Sequence, residues 1–250
     1  MKHLSLSIVL LAASVAGVSS VSADPVAVRF AEGVTRGFPV LRSTTGQKLA
    51  QGELVQVPRG DRIESRLVFR FLDGSYYEEQ VTFSQQETFT LHSYRLIQRG
   101  PSFSESTDAS IDRETERYTV RYKADESSAE EVVKGRFALP PDVYNGMLIM
   151  MIKNLNPGAS QVVQIVAFTP RPRVVKMLLS PVAEDRVLVG DWPMSATRYV
   201  IKPQLGMFAS LLVSDLPDVK CWVLGGDAPG FVRFEGPLYF MGPVWRIEVN

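Results

Sequence analysis

Of the 250 residues, 45% are hydrophobic, enough to fill a core, and 27 basic side chains face 27 acidic ones. A balanced charge gives no overall electrostatic drive towards nucleic acid or an anionic surface. The single cysteine, Cys221, excludes an intramolecular disulfide, so stability has to come from packing.

The N-terminal residues read as a targeting signal. Met1-Lys2-His3 is a short basic start, residues 4–18 are apolar, and Val21-Ser22-Ala23 places small residues ahead of Asp24-Pro25. That is the layout of a secretory signal peptide cleaved after Ala23. The apolar run is short of the ~20 residues that a membrane span needs. Residues 1–23 therefore leave the fold, and 24–250 are expected to form a single β-rich domain of a periplasmic or secreted protein. Cys221, flanked by the strand-like sequence of residues 219–224, is expected to be a buried, inert thiol.

From residue 47 to 137 the pattern is β. Residues 62–71 alternate, with Ile63, Leu67, Phe69 and Phe71 on one face and Arg62, Glu64, Arg66 and Arg70 on the other. Asp73-Gly74 then predicts a tight hairpin, since both residues tolerate positive φ. The return strand at 76–83 carries Tyr77, Val81 and Phe83. Further strands are expected at 88–98, 116–123 and 133–139.

One helix follows, over residues 141–155. Pro140 and Pro141 suit its start, Asp142 suits the positive end of its dipole, and Asn156-Pro157-Gly158 ends it. Tyr144, Met147, Leu148, Met151, Ile152 and Leu155 form one apolar face, while Ile149 and Met150 are apolar outside it. A helix apolar all round is a buried one. At 1.5 Å per residue it spans roughly 21 Å, too little for a ~30 Å hydrocarbon core. Strands resume at 161–168, 173–179, 185–189, 198–204, 208–213, 219–224 and 244–249. The fold class is mainly β: a curved antiparallel sheet, or incomplete β-barrel, wrapping one buried α-helix.

Signals for catalysis are thin. Beyond the leader there is one histidine, His92, on a strand, and there is no G-x-S-x-G elbow, P-loop or dinucleotide-binding glycine pattern. One histidine and one cysteine do not make a usual zinc site. Glu78-Glu79 and Glu130-Glu131 point to opposite faces of their strands and read as solvated edges. Asp227, in a Gly/Pro-rich loop, and Glu235, on the strand beside it, are better placed as polar loop candidates for ligand contact, beside the plainer reading of a hairpin connection. No catalytic residue, metal or cofactor is expected. The methionines are more suggestive: Met147, Met150 and Met151 cluster on the helix, and thioethers adapt to irregular apolar ligands as readily as they fill a core.

Three segments carry a family resemblance: FRFLDGSYYEEQVTFSQQETFTLHSYRLIQRGPSF, ALPPDVYNGMLIMMIKNL and APGFVRFEGPLYFMGPVWRIEV. Together they resemble a widespread family of exported bacterial proteins with no assigned catalytic residues. The strand–helix–strand layout is also similar to the half-barrel of lipoprotein-localisation carriers, in which an incomplete barrel wraps apolar helices and holds acyl chains. The helix, apolar all round, methionine-rich and set among strands, makes a carrier of a hydrophobic, lipid-like ligand the expected function, with Phe69, Phe71, Phe83, Met147, Met150 and Met151 as its apolar lining. A structural or protein-interaction component of the cell envelope, with a filled core, is the alternative. Neither nucleic acid binding nor an integral membrane location is expected.

Overall fold

The computed structural model describes residues 25–125, 127–169, 171–204, 218–239 and 241–249. The expected signal peptide, the cleavage point after Ala23, the expected strand at 208–213 and Met207 lie outside the described residues.

Among the described residues fifteen strands form one sheet, antiparallel at every pairing. A first meander runs through β2 (Val40–Ser43), β3 (Lys48–Arg59), β4 (Arg62–Phe71), β5 (Tyr76–Gln85), β6 (Phe89–Arg99), β7 (Ser106–Asp112), β8 (Arg117–Lys123) and β9 (Glu131–Arg136). The short β1 (Thr35–Gly37) also pairs with β3. The chain then crosses through α1 (Leu148–Asn154) into a second meander: β10 (Gln161–Phe168), β11 (Pro172–Val189), β12 (Trp192–Pro203), β13 (Val219–Leu224), β14 (Gly230–Gly236) and β15 (Trp245–Glu248). β15 pairs with β2, so the two meanders make one continuous sheet whose free edges are β9 and β10.

The sheet is strongly curved. Tyr94 on β6 lies ten strands along the order from Phe168 on β10. In a flat sheet that is roughly 48 Å at ~4.8 Å per strand, yet the two rings stack with centroids 6.3 Å apart. The sheet therefore curls until its two halves touch around α1. It remains unclosed, and the segment carrying the helix fills the gap between its edges.

The edge of β10 is capped by the approach to the helix. Gln164 donates its N–H to the Asp142 carbonyl at 2.9 Å, and the Tyr144 N–H donates to the Gln164 carbonyl at 2.9 Å. One step along, the Asn145 side chain imitates a strand: its Oδ1 accepts from the Val166 N–H at 2.7 Å and its Nδ2 donates to the Val166 carbonyl at 2.8 Å. These bonds satisfy backbone groups that would otherwise sit unpaired in a buried edge. They also shorten the helix, which was expected over 141–155 and covers only Leu148–Asn154. Residues 142–145 are tied to β10 through a bridge at Val143 and the Asn145 side chain, and Gly146 has φ +68°, outside helical geometry.

The rest of that segment is tied down from two sides. The Arg113 guanidinium donates to the carbonyls of Leu139 at 2.8 Å and Pro140 at 2.9 Å. Buried Asn154 accepts the N–H groups of Arg29 and Phe30, both at 2.8 Å, on one oxygen, and the Val26 N–H donates to the Tyr144 hydroxyl at 2.9 Å. Residues 26–30, themselves bonded to Glu87 and Phe89 at the start of β6, thus strap the helix segment to the sheet.

Two apolar clusters fill the interior. The larger one surrounds the helix: Val143, Tyr144, Met147, Met151, Ile152 and Leu155 pack on Val81, Phe83, Leu91, Val120, Val163, Leu179 and Ile201. The smaller is aromatic, with Phe69, Phe71, Tyr77, Phe103 and Trp245 around Leu41 and Ile247. The Asp73-Gly74 hairpin forms as the sequence predicts, with Gly74 at φ +86° and the Ser75 N–H bonded to Asp73 Oδ1 at 2.9 Å.

The strands expected at 173–179 and 185–189 are one strand, β11. Pro181 lies within it and is accommodated by a register shift between Pro181 and Ala183. A bulge absorbs the missing N–H without ending the strand.

Candidate functional site

The apolar residues expected to line a ligand site are divided by the fold. Phe83, Met147 and Met151 have no solvent exposure and belong to the cluster around the helix. Phe69 and Phe71 belong to the aromatic cluster, where Phe71 packs edge-on against Phe103 with centroids 5.4 Å apart. Met150 is half-buried against the first cluster.

Between the two clusters the inner wall changes character. Leu67, Leu96 and Phe231 are half-buried there, and both Leu96 and Phe231 touch both clusters. Glu79 sits on the same face. It is directly opposite Leu67 on β4 and Leu96 on β6. Its carboxylate accepts from the Tyr94 hydroxyl at 2.7 Å and forms no ion pair among the described residues. Burial pushes its pKa above the ordinary carboxylate range, and hydrogen bonds from Tyr94 and Tyr77 pull only partly against this. The same burial, with the Glu79 charge beside them, pushes both tyrosines well above their usual value. Gly146 roofs the group: a Cβ built there would lie 3.8 Å from Glu79 Cδ and 2.5 Å from Val81 Cγ2. Two positions along β6 from Leu96, the buried Gln98 Oε1 has no hydrogen-bond partner. The interior thus holds a polar seam of acceptors, Glu79 and Gln98, flanked by apolar walls.

The alternation along β5 could have revealed this. Tyr77, Val81 and Phe83 face inward, so Glu79, in step with them, must do so too. Glu78 faces out, as the opposite-face argument requires, but neither residue is a solvated edge. Glu78 is buried in mid-sheet under the Arg66 guanidinium, whose Nε lies 2.7 Å from Oε1. Burial would raise the Glu78 pKa, but bonds from Arg66, Tyr76 and Gln80 outweigh it and hold the value at about 2.

Asp227 and Glu235 do not converge. Asp227 is exposed in the β13–β14 connection. Glu235 lies near the far end of β14, five residues beyond Gly230, roughly 17 Å at ~3.3 Å per residue. Its carboxylate belongs to an ion-pair ladder on the outer face, 2.9 Å from Arg246 Nε. His92 is hydrogen-bonded through Nε2 to Ser84 Oγ at 2.9 Å. No carboxylate orients its other nitrogen among the described residues, so the pair lacks the third member of a nucleophilic triad. Among the described residues no three His, Cys, Asp or Glu side chains are grouped to hold a metal. Cys221 is buried, and burial pushes its thiol up to about 12.

Two open concavities lie on the outer face. One, of about 600 Å³, is lined by Asp185, Arg186, Val187, Leu188, Arg198, Trp222 and Arg233. The Trp222 indole N–H donates to Asp185 Oδ2 at 2.7 Å, and the Arg233 guanidinium lies 5.5 Å from the Trp222 ring centre. A second, of about 490 Å³, shares Arg198 and adds Lys202, Lys220 and Asp218. Among the described residues no helix is long and apolar enough to cross a membrane.

Compared with family models, curated proteins and solved structures, the chain matches none. The family resemblance therefore rests on the motifs alone.

Proposed function

We propose that this is an exported binding protein for an amphiphilic, lipid-like molecule, held on the inner wall of the half-barrel. The observation that carries the reading is Glu79, an inward carboxylate without a cation among the described residues, set between two apolar clusters where Leu67, Leu96 and Phe231 are only half-buried. A buried polar group is costly unless it is paired. A ligand with hydroxyl or amine donors at one end would pair Glu79 and Gln98, and its apolar part would complete the burial of the three half-buried side chains. This differs from the site expected at Met147 and Met151, which support the roof and do not line it.

The test is to purify the protein from envelope fractions, extract it and identify bound lipid by mass spectrometry, then titrate the stripped protein with a fluorescent fatty acid and a fluorescent long-chain amine. Bound amphiphile, and binding weakened about tenfold or more by Leu96→Trp, support the reading. A lipid-free protein that responds to neither probe refutes it. Fractionation and N-terminal sequencing test the export step, with Asp24 as the expected first residue.

A second reading has its own support. Phe83, Met147 and Met151 are wholly buried, as in a filled core. The protein would then act as an interaction component of the envelope through its surface, including the Gly/Pro-rich C-terminal third. Pull-downs from envelope fractions would be impaired more by Gly226 or Pro229 substitutions than by Met150→Ala.

A further inference from the structure

We propose that the end of the β11–β12 hairpin docks this protein onto an anionic lipid surface. The inference is independent of any ligand inside the half-barrel. The hairpin closes through Gly190, at φ +59°, and Asp191, with Val189 paired to Trp192, Leu188 to Pro193 and Val187 to Met194. Residues paired across the ladder share a face, and successive pairs alternate. Val189, Trp192 and Met194 therefore lie on one face, and Leu188 and Pro193 on the other. Trp192 is 77% exposed and Leu188 70%, with Val189 and Met194 more than a third exposed.

A two-stranded ribbon that is apolar on both faces is a wedge. A protein partner of ordinary shape covers one face of such a ribbon, whereas a lipid layer surrounds both. Tryptophan favours that boundary because its ring is apolar and its N–H is polar. Asp191 at the turn keeps the insertion shallow, among the headgroups.

The charge behind the wedge fits the same partner. The two outer clefts along this hairpin are lined by Arg186, Arg198, Lys202, Lys220 and Arg233, against only Asp185 and Asp218. Asp185 is already bound by Trp222 and lies 3.3 Å from Arg198, Asp218 lies 3.4 Å from Lys202, and Arg233 is paired with Glu248 at 3.0 Å. Arg186 and Lys220 have no ion pair among the described residues. A chain with equal numbers of acidic and basic residues thus leaves, among the described residues, Arg186 and Lys220 as uncompensated cations on and beside the hairpin that carries Trp192 and Leu188, two of the four most exposed large apolar side chains there. Basic groups near an anionic surface attract it by about 1 kcal/mol each, roughly fivefold in affinity.

The experiment is vesicle flotation of the mature protein with phosphatidylglycerol–phosphatidylcholine and with pure phosphatidylcholine vesicles. Flotation is expected on the anionic vesicles, falling with added salt. Leu188→Ser and Trp192→Ser should each weaken it about tenfold, and Arg186→Glu roughly twenty-five-fold, with the thermal midpoint unchanged because all three side chains act at the surface. Brominated lipid should quench tryptophan fluorescence through Trp192, since Trp222 and Trp245 are buried, and Trp192→Phe should abolish the quenching while preserving flotation. No flotation on anionic vesicles, or flotation that the Leu188→Ser/Trp192→Ser double variant leaves intact, overturns the proposal. Tip-dependent capture of an envelope protein without any vesicle binding overturns it in favour of a protein partner. A lipid-free interior with intact flotation would refute the internal site alone.

Discussion

Gly146→Ala should destabilise the protein far more than its single methyl implies, because two separate costs meet at that position. The backbone is left-handed, at φ +68°, which costs a residue with a Cβ about 1–2 kcal/mol. Part of this, about 0.4–1 kcal/mol, is returned because alanine restricts the unfolded chain. The added Cβ would also stand 2.5 Å from Val81 Cγ2, well inside ordinary contact. Overpacking of this kind costs about 1–3 kcal/mol, and the roof over Glu79 cannot move away freely because Asn145 is bonded to Val166. The expected loss is about 2–4 kcal/mol. Gly158→Ala is the control: its φ is +75° with nothing within 4 Å, so it should lose only about 1 kcal/mol. Urea unfolding followed by tryptophan fluorescence, with the slope held constant, measures both. Val81→Ala removes the clashing methyl, so the Gly146→Ala/Val81→Ala double variant should be less destabilised than the sum of the singles. Equal losses at Gly146 and Gly158, or strict additivity with Val81→Ala, would refute the reasoning.

The neighbouring carboxylates should give opposite pH dependences. Glu79 has a raised folded pKa, so its contribution is fully present below the ordinary ~4.3 of a free glutamate and is lost as pH rises through the folded value; Glu79→Gln should flatten this loss in unfolding free energy measured against pH. Glu78 is held at about 2, so its contribution is present above ~4.3 and drains as pH falls towards about 2; Glu78→Gln should remove that acid-side loss. Asn154→Ala removes the acceptor for Arg29 and Phe30. It should cost about 2–3 kcal/mol and release residues 25–32 to limited proteolysis, which mass spectrometry of the fragments would detect. Cys221 should resist maleimide in native buffer and react stoichiometrically once unfolded; rapid native labelling would contradict its burial.

The architecture was legible where the local signal was strong. Alternation at 62–71, Asp73-Gly74 and the return strand predicted the β4–β5 hairpin, because pleat and turn chemistry are local properties. The apolar segment at 141–155 correctly marked a buried centre, yet half of it is not helix. Asn145 finds its partner in Val166, a contact between distant residues that no helical period reveals. The strand β7, Ser106–Asp112, carries mostly small and polar residues and so has little apolar periodicity to read. The gap between the strands expected at 173–179 and 185–189 is a bulge at Pro181, since β12 supplies pairing on both sides of it.

Composition, alternation and one apolar segment were sufficient to determine a mainly β chain curled around a buried helix. Glu79 was present in the same alternation, but its lack of a cation depends on what the other strands bring near it. Charge was balanced in sequence, while strand pairing gathers residues 186, 198, 202, 220 and 233 around two outer clefts. The closeness with which the two halves of the curl meet, the seam between two clusters and the apolar tip of the β11–β12 hairpin were decided only by the tertiary structure. Each depends on which strands meet, and pairing across the whole chain determines that where local preference does not.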